Sequence, residues 1–230
     1  MRIGILASSG GSAFIEFRNI LEKYFKGKYQ YYVITDRKCG IEEFCEKESI
    51  VCQRIEYTSK ASFSINANEY FKKIGGVDFT LLYFLRILTS DFYYNHLSLN
   101  IHPSLLPSFK GTNAVEQCLE SGSKFLGGTL HLVDEGVDTG KIIAQIQTPI
   151  PFNCTKDIAN KISFLQKVYL SLTGLEIIEK KYISFGSDFS TLKWNKDAPF
   201  TFFSNPSILN RNIKEGFLEL QEKENTHIIN

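Results

Sequence analysis

Short apolar, β-rich runs alternate with amphipathic stretches over the first two-thirds of the chain. Few architectures accept that order, because parallel strands need long crossovers and amphipathic helices supply them while covering the sheet's apolar faces. Arg2–Ala7 reads as a first buried strand. Ser8-Ser9-Gly10-Gly11-Ser12 then turns into a helix whose Phe14, Phe17, Ile20, Leu21 and Tyr24 fall on one stripe. Tyr31–Thr35 follows as a strand, Ile41–Lys47 as a short helix, Ile50–Ile55 as a third strand, Ala67–Ile74 as a helix and Phe79–Tyr83 as a fourth strand. The pattern predicts an α/β fold with a doubly wound, mostly parallel, Rossmann-like sheet. Ligands of such sheets bind beyond the carboxyl ends of the strands, so the segments after Ala7, Tyr83 and Ile101 are where chemistry is expected.

Past Pro107 the spacing predicts a helix over Asn113–Glu120, strands over Gly128–Val133 and Lys141–Thr148 around the polar loop Asp134–Gly140, and a long helix over Thr155–Lys180. After Tyr182 the composition turns to Phe, Ser, Asn, Pro and Lys, with a strand at Thr191–Asn195, a polar helix at Ile213–Lys223 and a frayed tail. The expected division is a main domain over 1–181 and a small C-terminal appendage over 182–230.

Lys and Arg total 26 against 25 Asp and Glu, so the field gives no reason to expect nucleic acid or a membrane surface, and small molecules are the expected partners. Five cysteines lack close pairing and read as thiols in a reducing cytoplasm. The apolar run Ile3–Ala7 is too short for a signal peptide, and no run approaches the roughly 18–20 apolar residues of a membrane span. A soluble, cytoplasmic protein is expected, either monomer or homodimer.

Asn100-Ile101-His102-Pro103 is the most informative stretch, because residues two apart share a strand face and Asn100 and His102 can converge. A carboxamide donor beside an imidazole suits acyl transfer, where an oxyanion develops and a proton must move. A strand-end Asn and a core His would look the same. In the loop Asp134–Gly140 a carboxylate can orient His102; a solvated hairpin is the plainer reading, and a hard-cation site of Asp134, Glu135 and Asp138 does not match a calcium loop, so no metal is expected. Gly10-Gly11-Ser12 opens a helix and leaves N–H groups free for a phosphate, or is an ordinary turn. Phe84-Leu85-Arg86-Ile87-Leu88 offers an apolar wall for a flat ligand, and Arg86 within it calls for an anionic partner.

Together these segments closely resemble the 10-formyltetrahydrofolate-dependent formyltransferase family. The likeness runs from Met1 to about Pro151 through Ile3–Ser12, Phe84–Leu88, Asn100–Pro107 with Gly111, Gly128–His131, Val133–Gly140 and Ile142–Gln145, in the family's order. It implies that Asn100 holds the formyl oxygen, that His102 acts in proton transfer, and that Asp138 positions His102. It further implies that 10-formyltetrahydrofolate, as co-substrate, lies against Leu85, Arg86, Ile87, Leu88 and the loop residues Asp134, Glu135 and Val137. Gly10, Gly11, Ser12, Pro103 and Gln166 are the implied acceptor contacts.

Two positions depart from members that formylate glycinamide ribonucleotide: Ala13 stands where they carry an asparagine against the phosphate, and Gln166 where they carry a glutamate on the ribose hydroxyls. Losing such a buried pair weakens recognition of the sugar by about 1–3 kcal/mol. The expected acceptor is a phosphate-carrying small-molecule amine, glycinamide ribonucleotide of purine biosynthesis first, with a nucleotide-linked amino sugar as the alternative. A non-catalytic folate- or nucleotide-binding module is the reading from another class.

Overall fold

The computed structural model describes residues 1–228, with side chains through Glu224; Ile229 and Asn230, the end of the expected tail, lie outside the described residues. The chain opens with β1 (Arg2–Ala7), α1 (Ser12–Phe25), β2 (Gln30–Thr35), α2 (Gly40–Lys47), β3 (Val51–Arg54), α3 (Lys60–Lys73), β4 (Phe79–Tyr83), the short α4 (Ser90–Tyr93) and β5 (Ser98–His102). These strands pair in parallel in the order β3-β2-β1-β4-β5. The order reverses at β1, which lies between β2 and β4, so the ends of β1 and β4 open a crevice where a doubly wound sheet takes its ligand.

α5 (Ala114–Glu120) then leads to β6 (Phe125–Leu132) and β7 (Ile142–Pro149), which extend the sheet antiparallel from β5. α6 (Lys156–Glu179) follows, its start capped by the Thr155 side chain accepting from the Ile158 N–H. β8 (Ile183–Phe185) and β9 (Leu192–Trp194) form a separate hairpin, β10 (Ser204–Asn205) pairs with β7 as the eighth strand of the main sheet, and α7 (Arg211–Ile228) closes the described chain.

The stripe expected on α1 is the one buried: Phe14, Phe17 and Leu21 are fully enclosed, each contributing about 1.5–3 kcal/mol through removal from water. They belong to a core that α1, α6 and α7 form with one face of the sheet; Phe63, Phe71 and Phe92 from α3 and α4 cover the other. α3 begins at Lys60, seven residues before the start expected from periodicity. Its first turns carry few apolar residues, and a local cap fixes the start instead, with Ser59 Oγ accepting from Ser62 N–H at 3.1 Å.

Besides the β10–β7 pairing, the described residues after 181 join the main body through α6 and through the core under α1. Buried Glu176 of α6 accepts the Leu209 and Asn210 N–H groups at 2.6 and 2.7 Å, and Ile213, Phe217 and Leu220 of α7 enter the same core as α1. The expected polar helix thus has an apolar face, and where a frayed tail was expected the described chain stays helical to Ile228. Among the described residues no helix is long and apolar enough to cross a membrane.

Candidate active site

β5 ends with Asn100 and His102, and its antiparallel neighbour β6 sets His131 directly opposite Asn100. The loop between β6 and β7 returns Asp138 over the same spot. That loop is held tight by Thr139 Oγ1 and the Gly136 N–H, which both bond Asp134, at 2.7 and 3.2 Å. Asp138 itself sits at φ 53°, a left-handed conformation uncommon outside glycine, so its placement is fixed by the surrounding bonds.

Asp138 Oδ2 lies 3.1 Å from His102 Nδ1 and accepts the Gly111 N–H at 2.8 Å; Oδ1 lies 3.6 Å from His131 Nε2. Burial works to raise the Asp138 carboxyl, but the nearby His131 ring, the donating Gly111 N–H and the nearby His102 ring together bring it below the usual 3.8. It is therefore a carboxylate at neutral pH.

The second nitrogen of His102, Nε2, donates to the Phe109 carbonyl at 2.7 Å. Both ring nitrogens of His102 thus meet acceptors, and the ring can donate to both only as an imidazolium. His131 is arranged differently: Nδ1 donates to the Leu132 carbonyl at 2.7 Å, which leaves Nε2 as an acceptor for the Asn100 amide N–H at 3.2 Å. The other Asn100 amide hydrogen has only a long contact, 3.5 Å, to Asp138 Oδ1. This leaves Asn100 an oriented donor with one weakly engaged hydrogen.

These groups open into a cleft of about 660 Å³ lined by Asn100, His102, Pro103, Gly111 and Asp138, by Leu85, Arg86, Ile87 and Val137, and by Ser9, Gly11, Ser12 and Ala13 at the mouth of α1. A narrower recess beside it is walled by Leu82, Phe84, Leu88, Val133 and Asp134. Leu85, Ile87 and Val137 are exposed at 81%, 54% and 53%, apolar surface left uncovered by the fold. Arg86 finds its anionic partner inside the protein, with Nε 3.2 Å from buried Asp36 Oδ2 and the guanidinium over the Tyr57 ring.

Three expected contacts fall elsewhere. Gln166 is buried against the sheet, where its Nε2 donates to the Leu126 carbonyl at 2.9 Å and to Thr148 Oγ1 at 3.0 Å, and it does not face the cleft. Glu135 lies on the outer side of its loop, in a hollow shared with Tyr93, Tyr94 and Lys141. Gly10 is exposed beside the α1 turn while Ser9 and Gly11 line the cleft. In their place the structure brings in His131 and Lys167. His131 had a signal in the sequence, a single imidazole in an otherwise apolar strand, but its meeting with Asn100 depends on the β5–β6 register. Among the described residues no group of His, Cys, Asp and Glu is arranged to hold a metal ion.

The formyl transferase family matches residues 1–172 of the chain. The trifunctional purine biosynthetic protein adenosine-3 of Chironomus tentans is 34% identical over 188 residues, a match covering 75% of this chain and 14% of that much longer protein. Among solved structures, phosphoribosylglycinamide formyltransferase from Anaplasma phagocytophilum superposes with a TM-score of 0.72 at 26% identity, covering 85% of this chain and 93% of that one. Glycinamide ribonucleotide transformylase 1 from Symbiobacterium toebii gives 0.71 at 27% identity, covering 82% and 92%.

Proposed function

Because the chain belongs to the formyl transferase family, we propose that it transfers the formyl group of 10-formyltetrahydrofolate to the primary amine of glycinamide ribonucleotide, a step of purine biosynthesis. The observation that carries this reading is the convergence of Asn100, His102 and Asp138 on one cleft with the open mouth of α1. By their names, the two solved structures named above are formyltransferases of this acceptor, and the Chironomus tentans relative is a purine biosynthetic protein.

The catalytic unit in this reading is 1–181, with the described residues of the 182–230 appendage bracing its edge and its helices. 10-Formyltetrahydrofolate supplies an activated formyl carbon. Exposed Leu85, Ile87 and Val137, with Leu88 beneath, offer the apolar walls that a flat ring requires, and the backbone around them offers polar groups. Asn100, held by His131, donates its free amide hydrogen to the oxygen that gains negative charge. His102, whose ring Asp138 and the Phe109 carbonyl hold in one orientation, is the group placed to move a proton there. The carboxylate also stands ready for the proton that the attacking amine must lose.

Purified protein incubated with 10-formyltetrahydrofolate and glycinamide ribonucleotide should release tetrahydrofolate. The burial of Gln166 away from the cleft favours a second reading, because the ribose contact implied by the resemblance is missing. A nucleotide-linked amino sugar in the same assay decides between them: release with the amino sugar alone reverses the choice, and release with neither removes both.

A further inference from the structure

We propose that Lys167 is the cation that holds the acceptor's phosphate, in the cleft that it shares with the mouth of α1. The inference rests on the reading above, in which the cleft takes a phosphorylated amine. Besides Lys167, the titratable side chains lining the cleft are Tyr83, Arg86, His102 and Asp138, and each has a partner within the protein. Tyr83 Oη lies 2.6 Å from Ser171 Oγ, Arg86 pairs with Asp36, and His102 pairs with Asp138. Lys167 uses only its backbone carbonyl, which accepts from Ser171; its ammonium makes no hydrogen bond or ion pair among the described residues.

The Lys167 residue is half-buried in the wall contributed by α6. Burial alone pushes it below its ordinary 10.5. Withdrawing a charge from water with no counter-ion is costly, and an anionic ligand removes the cost by bringing the counter-ion with it.

The mouth of α1, which lines the same cleft, supplies the complementary half of an anion site. Gly11 N-caps α1 at φ 69° with no side chain bonded to the free N–H groups of the first turn. Only glycine fits there, because a Cβ would stand 2.6 Å from Ile41 as well as in a left-handed conformation. Peptide N–H groups and the positive end of a fourteen-residue helix therefore face the same cleft as the lysine. Ala13 has no polar group to add and Gln166 is turned into the sheet, so within this cleft the unpaired charge for a phosphate dianion is Lys167.

Equilibrium binding of ribose 5-phosphate to the whole protein tests this without requiring turnover. Lys167→Met should weaken binding by about tenfold or more, the effect of losing one charge-assisted hydrogen bond, while Lys167→Arg should restore it to within about threefold. Between about pH 7.5 and 10, where the phosphate is already a dianion, wild-type affinity should fall as the lysine loses its proton and that of Lys167→Arg should stay level. A merely structural lysine would show no such contrast. Equal binding by wild type and Lys167→Met overturns the inference, as does absence of binding by the wild type. Lys167-dependent binding in a protein that does not formylate glycinamide ribonucleotide sustains the inference and sinks the functional reading. Turnover of glycinamide ribonucleotide with the same KM in Lys167→Met does the reverse.

Discussion

His96 and His102 flank one short strand, β5, and meet opposite surroundings. His96, before the amino end, packs edge-on to Phe71 and tilted against Phe92, with ring centroids 5.3 and 5.1 Å away, and its Nε2 donates to Asn68 Oδ1 at 3.0 Å. Burial pushes it down to about 4, with Lys72 adding to the shift and the Asn68 bond opposing it. His102, at the carboxyl end, is equally buried but has an acceptor at each nitrogen, one of them the Asp138 carboxylate. Burial of an imidazole is therefore not what marks a site. The amino end of β5 is plugged by aromatic side chains from α3 and α4, whereas the carboxyl end receives a loop that supplies charge and leaves a cleft.

The largest expected effect follows from that contrast. His102→Ala or Asp138→Asn should lower kcat/KM for formyl transfer by about 10²–10⁴, the usual contribution of a positioned acid–base group, while the folded structure survives. His96→Gln should leave kcat/KM within about threefold of wild type, because nothing at its end of the strand reaches the cleft. Steady-state rates with circular dichroism on all three variants make the comparison. Comparable losses of turnover at both ends would erase the distinction between them.

Acid stability gives the next effect. Between pH 6.5 and about 4 the unfolded chain has protonated His96 and the folded chain has not, so the unfolded state binds more protons and stability falls as pH falls through that window. The full difference is on the order of 3 kcal/mol, since each tenfold loss of proton affinity on folding corresponds to about 1.4 kcal/mol. Asp138 has the opposite origin but the same sense: its carboxyl is lowered in the fold, so its contribution is complete above the usual 3.8 and is lost as pH falls through the lowered value. Urea titrations from pH 7 to 4 should show the slope in wild type and a flatter one in His96→Gln. An unchanged slope in that variant would mean that another group drives acid unfolding.

How much of this was legible in the chain differs between regions. The alternation of β-rich runs and amphipathic stretches is a local signal, so β1, α1, β2 and β4 follow from it within a residue or two. Asn100 and His102 were legible as a pair because they share a strand, and Asp138 through the resemblance of its loop. His131 and Lys167 were not, since one depends on the register of β5 against β6 and the other on how α6 is rotated against α1. β10 is two residues long and has no periodicity to read; the β7 edge selects it. Helix rotation also explains Gln166: from Leu165 to Ile177 of α6 every position but Lys167 and Tyr169 is buried, so the sequence there carries little polar stripe to say which side faces the sheet and which the cleft.

Gln166 and Lys167 are adjacent on α6 yet point to different places, and a conservative change at Gln166 exposes that with the smallest effect. If Gln166 faced the acceptor, Gln166→Glu would supply the carboxylate implied for the ribose hydroxyls, lowering the KM for glycinamide ribonucleotide and leaving stability alone. The structure makes the opposite demand. The Nε2 atom donates to the Leu126 carbonyl and to Thr148 Oγ1, and a carboxylate has no hydrogen to offer Leu126. An unsatisfied buried carbonyl opposite a buried charge should cost about 1–3 kcal/mol of stability. Burial raises the pKa of the introduced carboxyl, so the loss should be full near neutral pH and shrink on acidification as the carboxyl takes a proton and regains a donor. Denaturation midpoints at pH 7 and 5 together with the KM decide the matter: a tighter acceptor KM at unchanged stability would place Gln166 in the cleft after all and rotate α6 away from the orientation on which the role of Lys167 depends.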